Sequence, residues 1–171
     1  MKYPRLLLLA ALAVLSVVQA MWLQFQLPAL VATHFNIAGQ VDGWMSRPYF
    51  LRYELGLTFG TFTVFTALAF LTAVLPAGLV NLPHKAYWLA PERSADTRRR
   101  LAGMALASGC GAEAFFIFLH QQLYLANLRA DHRLPVASGV TIAVAVVLVA
   151  GPTVRPLLRF SRRPASPAPP A

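Results

Sequence analysis

Four long apolar runs dominate the pattern of hydrophobic and polar positions along this chain. They cover about residues 6–23, 53–75, 101–126 and 136–154. Each run approaches or exceeds the ~20 residues that a helix needs to cross the hydrocarbon core of a bilayer. The pattern therefore predicts an all-α membrane protein, an antiparallel bundle of four transmembrane helices that forms a single domain over residues 1–154.

Polar segments between and after these runs define the rest of the organisation. Residues 24–52 are rich in turn-forming residues and predict a small extracytoplasmic cap between the first two helices. Residues 155–171 are basic and then rich in Pro, Ala and Ser, which predicts a disordered tail. Pro91-Glu92 predicts a helix start, because Pro favours the first helical position and an acid suits a helix N-terminus.

The first run also has features of a signal peptide. Lys2 and Arg5 precede its apolar core, and Val18-Gln19-Ala20 resembles a small-residue cleavage site. The run nevertheless continues apolar through residues 21–23, which makes it long enough to span a bilayer. We expect it to be retained as the first transmembrane helix, with cleavage after Ala20 as the alternative.

The charge of the chain is strongly positive and unevenly placed. The net charge is +9, although only 12% of the residues are charged. Eleven Lys and Arg residues fall in the two termini and the 80–100 segment, against four in the 24–52 segment and the 127–135 loop. The positive-inside rule therefore predicts both termini in the cytoplasm. We expect the basic segments to lie against anionic lipids, without nucleic acid as a partner.

The outward segment contains a distinctive set of short motifs. They are Leu27-Pro28, Thr33-His34-Phe35-Asn36, Gly39 and Asp42-Gly43-Trp44. With the helices on either side, over about residues 6–75, the set resembles the bacterial membrane family called domain of unknown function 1648. A second stretch, residues 81–93, is also similar to stand-alone members of that family, which usually have Asn in place of His84.

The resemblance implies a membrane protein without an assigned activity. The same domain opens the SdpI-like immunity proteins of the sporulation-delaying toxin system, which are implied to give toxin immunity and to signal to a repressor. Those proteins are longer and have additional membrane spans. The resemblance implies that this chain contains the domain. Toxin resistance is one hypothesis for the role of the protein.

Three polar residues of the outward segment are candidates for a binding site: His34, Asn36 and Asp42. Their spacing lacks the alternating acids and the terminal Glu of a calcium loop, and one acid is a weak ligand set for a hard cation. Asn and Gly favour tight turns, and a His side chain here can bond to a backbone carbonyl. We expect a structural cap, with metal or ligand binding as the alternative.

Glu113 and His120 are the candidate residues inside the membrane. Glu113 lies near the middle of the third run, and His120 follows on nearly the same helix face. Polar residues continue toward the outer end of the run: Gln121, Gln122, Tyr124 and Asn127. The track suits either passage of protons or a ligand, or hydrogen bonds between helices. No span offers Lys or Arg as a partner, so we expect a protonated Glu113 that donates to a neighbouring helix. Glu54, in the first turn of the second run, is expected to reach water.

Small residues repeat at intervals of four in two of the runs. They are Gly56 and Gly60 in the second run, and Gly103, Ala107 and Gly111 in the third. This spacing lets helix backbones approach closely. We expect it to serve packing within the bundle, with homodimer formation as the alternative.

Motifs for enzymatic chemistry are missing from the sequence. It has no glycine-rich phosphate loop, no nucleophile elbow and no H-E-x-x-H, and the lone Cys110 has no base placed to activate it. We therefore expect a non-enzymatic protein without cofactor or metal that senses or binds at its outer face, in envelope stress or toxin resistance. The alternative is a small transporter or transporter subunit that uses Glu113 and His120. An integral-membrane enzyme is a weaker third hypothesis.

Overall fold

A computed structural model of the chain describes residues 4–162 and is mostly helical. Its long helices are α1 (Pro4–Leu23), α2 (Arg47–Val74), α4 (Pro91–Leu128) and α5 (Ser138–Ser161), with a short α3 (Lys85–Trp88) before α4. Two strands, β1 (Leu30–Phe35) and β2 (Val41–Ser46), lie between α1 and α2. The four long helices are each long and apolar enough to cross a membrane, which confirms that part of the prediction.

Several helix ends differ from the predicted spans. Helix α2 begins at Arg47 instead of residue 53, with a proline in its first turn, and the Arg47 guanidinium donates to the Leu27 carbonyl at 3.0 Å. Helix α4 begins at Pro91 with Glu92 in its first turn, which confirms the predicted helix start. It then continues without a break into the third apolar run.

The end of α5 corrects the predicted tail. Residues 155–161, expected to be disordered, are the last turns of this helix. Phe160 is fully buried there against Trp88, whose indole Nε1 donates to the Phe160 carbonyl at 3.1 Å. Burial of this aromatic ring stabilises helical structure where composition alone favoured disorder. The remaining tail, residues 163–171, lies outside the described residues.

The prediction of an all-α protein is wrong in the segment between α1 and α2. Strands β1 and β2 pair antiparallel there, from Leu30 opposite Ser46 to Phe35 opposite Val41, with an irregular register around His34. Gly39 has a φ of +72°, a conformation that glycine adopts without steric cost, and it closes the turn between the strands. The segment is therefore a β-hairpin.

Helix α4 is the central helix, with contacts to α1, α2 and α5. At Gly109, a side chain would meet Leu9 of α1 and Phe65 of α2, so both helices pack closely there. At Gly111, a Cβ atom would collide with the Leu148 carbonyl of α5. The absence of a side chain at these positions lets the backbone of α4 approach its neighbours.

Two of the predicted packing glycines do not contact another helix. A Cβ atom at Gly56 or Gly60 of α2 would meet no atom within 4 Å. The expectation that these two glycines serve packing within the bundle is wrong, because both lie on the exposed face of α2. Much of the outer surface of the long helices is exposed and apolar, with residues such as Val14, Phe59 and Val147.

The hairpin is packed onto one end of the helices. A buried apolar cluster joins Leu27 and Val31 to Phe50 of α2 and Leu123 of α4. The loop after α4 also contacts the hairpin, since Leu134 donates its backbone N–H to the Gly39 carbonyl at 3.3 Å. The hairpin is thus part of the same packed body as α2 and α4.

Candidate functional site

A buried pair of ionisable groups joins α2 to α4. The Glu54 Oε1 atom lies 3.4 Å from the Nε2 atom of His120, and the two side chains are only 6% and 3% exposed. Glu54 was expected to reach water, and that expectation is wrong. Because α2 begins at Arg47, Glu54 lies two turns inside the helix, on the face that packs against α4.

Glu113 lies deeper along α4 and is fully buried. Neither of its carboxyl oxygens has a hydrogen-bond partner among residues 4–162. The expected hydrogen bond to a neighbouring helix is therefore not found among the described residues. Seven residues separate Glu113 from His120, or about 10 Å along the helix axis.

Further polar side chains lie where α1, α2 and α4 meet. The Thr58 hydroxyl lies one turn from Glu54 and donates to the Ser16 Oγ atom at 3.1 Å, with both residues buried. Gln19 Nε2 donates to the Ile117 carbonyl at 3.1 Å and to Gln121 Oε1 at 3.3 Å. We call this set the polar column: Ser16, Gln19, Glu54, Thr58, Glu113, His120 and Gln121.

The polar track of α4 continues from the column to the hairpin. Tyr124 donates its hydroxyl to Gln26 Oε1 at 2.7 Å. Asn127 makes two hydrogen bonds to β1, one from the Ala32 N–H to its Oδ1 at 2.8 Å and one from its Nδ2 to the Ala32 carbonyl at 3.0 Å. The track thus supplies hydrogen bonds between segments, and Asn127 ties the hairpin to α4.

The three candidate residues of the 24–52 segment lie in the hairpin, away from the polar column. His34 Nδ1 and Asp42 Oδ1 are 2.5 Å apart across the strands, and both side chains are exposed. Asn36 Oδ1 accepts the N–H groups of Ala38 and Gln40 at 3.0 Å, which holds the turn. Within residues 4–162, no group of three or more His, Cys, Asp or Glu side chains is arranged to hold a metal ion.

The chemistry of the column rests on two carboxyl groups and one imidazole. Glu54 and His120 are close enough to exchange a proton, whereas Glu113 has no protein partner in the described part of the chain. A charged side chain at such depth is costly unless it is paired, and intramembrane ionisable residues commonly mark proton or ion pathways. Sequence reasoning found Glu113 and His120 but missed Glu54. The rule that ionisable residues inside a transmembrane segment mark functional sites also applied to Glu54, which lies in the second apolar run.

Four helices that can cross a membrane, with ionisable groups buried between them, define a multi-pass membrane protein. Residues 11–51 match the model of the family described as "Domain of unknown function (DUF1648)". The match supports the resemblance found in the sequence, and the matched residues cover the later part of α1, the hairpin and the start of α2. Of the polar column, only Ser16 and Gln19 lie within the matched residues. No curated protein and no solved structure matches the chain.

Proposed function

We propose that this is a non-enzymatic protein of a bacterial inner membrane that senses or binds a partner at its outer face, in envelope stress or toxin resistance. In this proposal the long helices form an antiparallel bundle with both termini in the cytoplasm, and the hairpin is the extracytoplasmic cap. The uneven distribution of Lys and Arg supports this orientation.

The observation that carries the proposal is the attachment of the hairpin to α4. Asn127 holds Ala32 of β1 with two hydrogen bonds, and its helix continues inward to His120 and Glu113. A partner that moves β1 therefore changes the contacts of Asn127, which lies on the same helix as His120 and Glu113. At the tip of the hairpin, Ile37 is 87% exposed and offers an apolar contact to such a partner.

Site-specific crosslinking in cells tests the sensing role. A photoreactive amino acid at Ile37 should give a crosslinked adduct with an extracytoplasmic partner under envelope stress. The matched control is Leu79, which is 70% exposed on the turn after α2, at the other end of that helix. Equal crosslinking at both positions, or none at Ile37 under any stress that gives the protein a phenotype, contradicts the proposal.

A second candidate function is proton-coupled transport, as a small transporter or a transporter subunit. Two observations favour it: Glu113 has no hydrogen-bond partner among residues 4–162, and Glu54 is paired with His120. Proton relays in membrane proteins use acids and histidines in this setting. Purified protein in vesicles with an internal pH-sensitive dye should then show proton flux that Glu113→Gln abolishes. Glu92→Gln, at the exposed start of α4, is the control and should leave flux unchanged. A wild-type protein without flux contradicts transport.

The proposed partners of the membrane-embedded surface are lipids and, as an alternative, a second copy of the chain. Anionic lipids at the cytoplasmic face suit the basic segments. Gly56 and Gly60 leave a smooth exposed strip on α2 where another helix can approach closely. Neither interaction requires a cofactor, a metal or a nucleic acid.

A further inference from the structure

A cavity of about 280 Å³ opens at the end of the helices opposite the hairpin, between α1, α4 and α5. Four arginines line it: Arg5, Arg100, Arg155 and Arg159. Apolar side chains, including Met104 and the buried Phe160, form the rest of its wall. The cavity thus combines a positively charged rim with an apolar floor.

Arg5 is placed in this cavity by a glycine on α4. A Cβ atom at position 103 would collide with the Arg5 guanidinium, so the side chain lies directly on the backbone of Gly103. The Arg5 carbonyl also accepts a weak hydrogen bond from the Cys110 thiol at 3.6 Å. Both the backbone and the exposed side chain of this arginine therefore contact α4.

The positive charge of the cavity is only partly balanced. Asp96 lies one turn before Arg100 on α4, and its carboxylate pairs with Arg100 Nε at 2.6 Å. No ion pair with an acid holds Arg5, Arg155 or Arg159 in the part of the chain that the structure describes. The wall therefore retains net positive charge, and mutual repulsion of the arginines favours an anion between them.

We propose that this cavity binds a phosphate-bearing anion, whose oxygens the arginines hold. The planar guanidinium donates two parallel hydrogen bonds to a phosphate. The inference also rests on the proposed orientation, which puts the cavity at the cytoplasmic side, where basic pockets between transmembrane helices suit phosphate headgroups. Such an anion is either the phosphodiester headgroup of a lipid, whose glycerol and acyl groups contact the apolar floor, or a free phosphate. Both share the chemistry that the arginines recognise.

The main test removes two charges from the cavity and compares the result with the loss of two charges nearby. Arg155→Gln/Arg159→Gln changes the cavity, whereas Arg99→Gln/Arg162→Gln changes exposed arginines at the same end of the helices that do not line it. The full chain is placed in nanodiscs of zwitterionic phosphatidylcholine and titrated with phosphatidylglycerol, with retained lipid counted by native mass spectrometry. The cavity variant should lose roughly tenfold in affinity, as expected for lost charge-assisted hydrogen bonds, and the control should lose much less. Equal losses overturn the proposal, because they indicate attraction by net charge alone.

A second arm repeats the titration with inorganic phosphate in pure phosphatidylcholine nanodiscs, with thermal stability as the readout. Stabilisation by inorganic phosphate, absent in the cavity variant, assigns the site to free phosphate; retention of phosphatidylglycerol alone assigns it to a lipid. If wild-type protein binds neither probe, the proposal is wrong.

A charge-neutral variant keeps the proposal testable if the double variant does not fold. Gly103→Ala forces the Arg5 guanidinium away from α4 without altering the net charge, and should weaken binding of the probe that the wild type retains. Gly56→Ala is the matched control, because its Cβ meets open space. Unchanged binding in Gly103→Ala, with Arg5 shown to be displaced, contradicts the assigned position of the anion.

Discussion

Glu54 on α2 and His120 on α4 face each other in the buried interior, with 3.4 Å between Oε1 and Nε2. Each side chain supplies a polar partner for the other, which lowers the free-energy cost of burying both. In a membrane, where water does not reach this depth, an unpaired polar group has no alternative partner. The pair therefore links the position of α2 to that of α4 more specifically than apolar packing does.

A double-mutant cycle measures this link. Glu54→Leu and His120→Leu should each destabilise the protein, because each leaves the other side chain buried without its partner. The double variant should be more stable than the sum of the single effects, by about 1 kcal/mol on the scale of interhelical hydrogen bonds in membranes. Unfolding in mixed detergent micelles provides the free energies. The exposed pair Arg129 and Asp131 is the control and should show coupling near zero, and additive effects at Glu54 and His120 contradict the pairing.

Asn127 should control the attachment of the hairpin. Asn127→Ala removes the acceptor of the Ala32 N–H and the donor to the Ala32 carbonyl, so β1 loses its polar anchor on α4. We expect amide hydrogen exchange at Ala32 to rise by roughly tenfold or more, the equivalent of one or two net hydrogen bonds. Asn81→Ala, at an exposed position, should leave that exchange unchanged. Unaltered exchange at Ala32 in the Asn127 variant shows that the apolar cluster alone holds the hairpin.

The number of helices that are long and apolar enough to cross a membrane could be predicted from the sequence, because each apolar run is long enough to be recognised without its neighbours. The hairpin could not be predicted in the same way. Val31 and Ala32 are both buried although they are adjacent, so β1 lacks the strict alternation of buried and exposed positions that marks a strand. The turn residues Asn36 and Gly39 were recognised, but the strands on either side were not.

The pairing of Glu54 with His120 depends on information that a sequence pattern does not contain. It requires the first residue of α2, the rotation of that helix about its axis, and its level relative to α4. The Arg47 side chain, bonded to the Leu27 carbonyl, fixes the start of α2 from a segment outside the apolar run. A three-residue shift of α2 would move Glu54 by most of a turn and away from His120.

Topology is tested by reporter fusions. A reporter that is active only outside the cytoplasm should work after Asp42 in β2 and after Asp131 in the loop between α4 and α5. It should fail after Ser94, near the start of α4, and after Pro164. Activity at Ser94 contradicts the proposed orientation. The mass of the purified protein separately shows whether the first helix is retained or cleaved after Ala20.

Gly111 should be the least tolerant of the small residues on α4. A Cβ atom there would overlap the Leu148 carbonyl, a backbone group that cannot rotate away, and Pro152 leaves this carbonyl without its usual helical partner. We expect Gly111→Ala to cost about 1–3 kcal/mol by overpacking, measured by unfolding in detergent. Gly60→Ala is the control: it meets open space and should be neutral or stabilising. Similar effects of the two substitutions contradict the close approach of α4 and α5.

Substitutions at Glu113 distinguish an effect on stability from an effect on function. Its carboxyl group is fully buried, and neither oxygen has a partner in the described residues. Charged, it would be expensive at this depth, so we expect it to be protonated at neutral pH. Even the neutral acid leaves buried polar atoms unsatisfied, at a cost of about 1–3 kcal/mol.

Replacement of this acid by an apolar side chain of similar size should therefore stabilise the protein. We expect Glu113→Met to raise the free energy of unfolding, whereas His120→Met, which leaves Glu54 unpaired, should lower it. If Glu113 handles protons, Glu113→Met and Glu113→Gln should both fold and both lose any pH-dependent flux or phenotype. A stabilised Glu113→Met variant that keeps wild-type pH dependence excludes a proton-handling role. A destabilised variant shows instead that the carboxyl group contributes to packing through a polar partner.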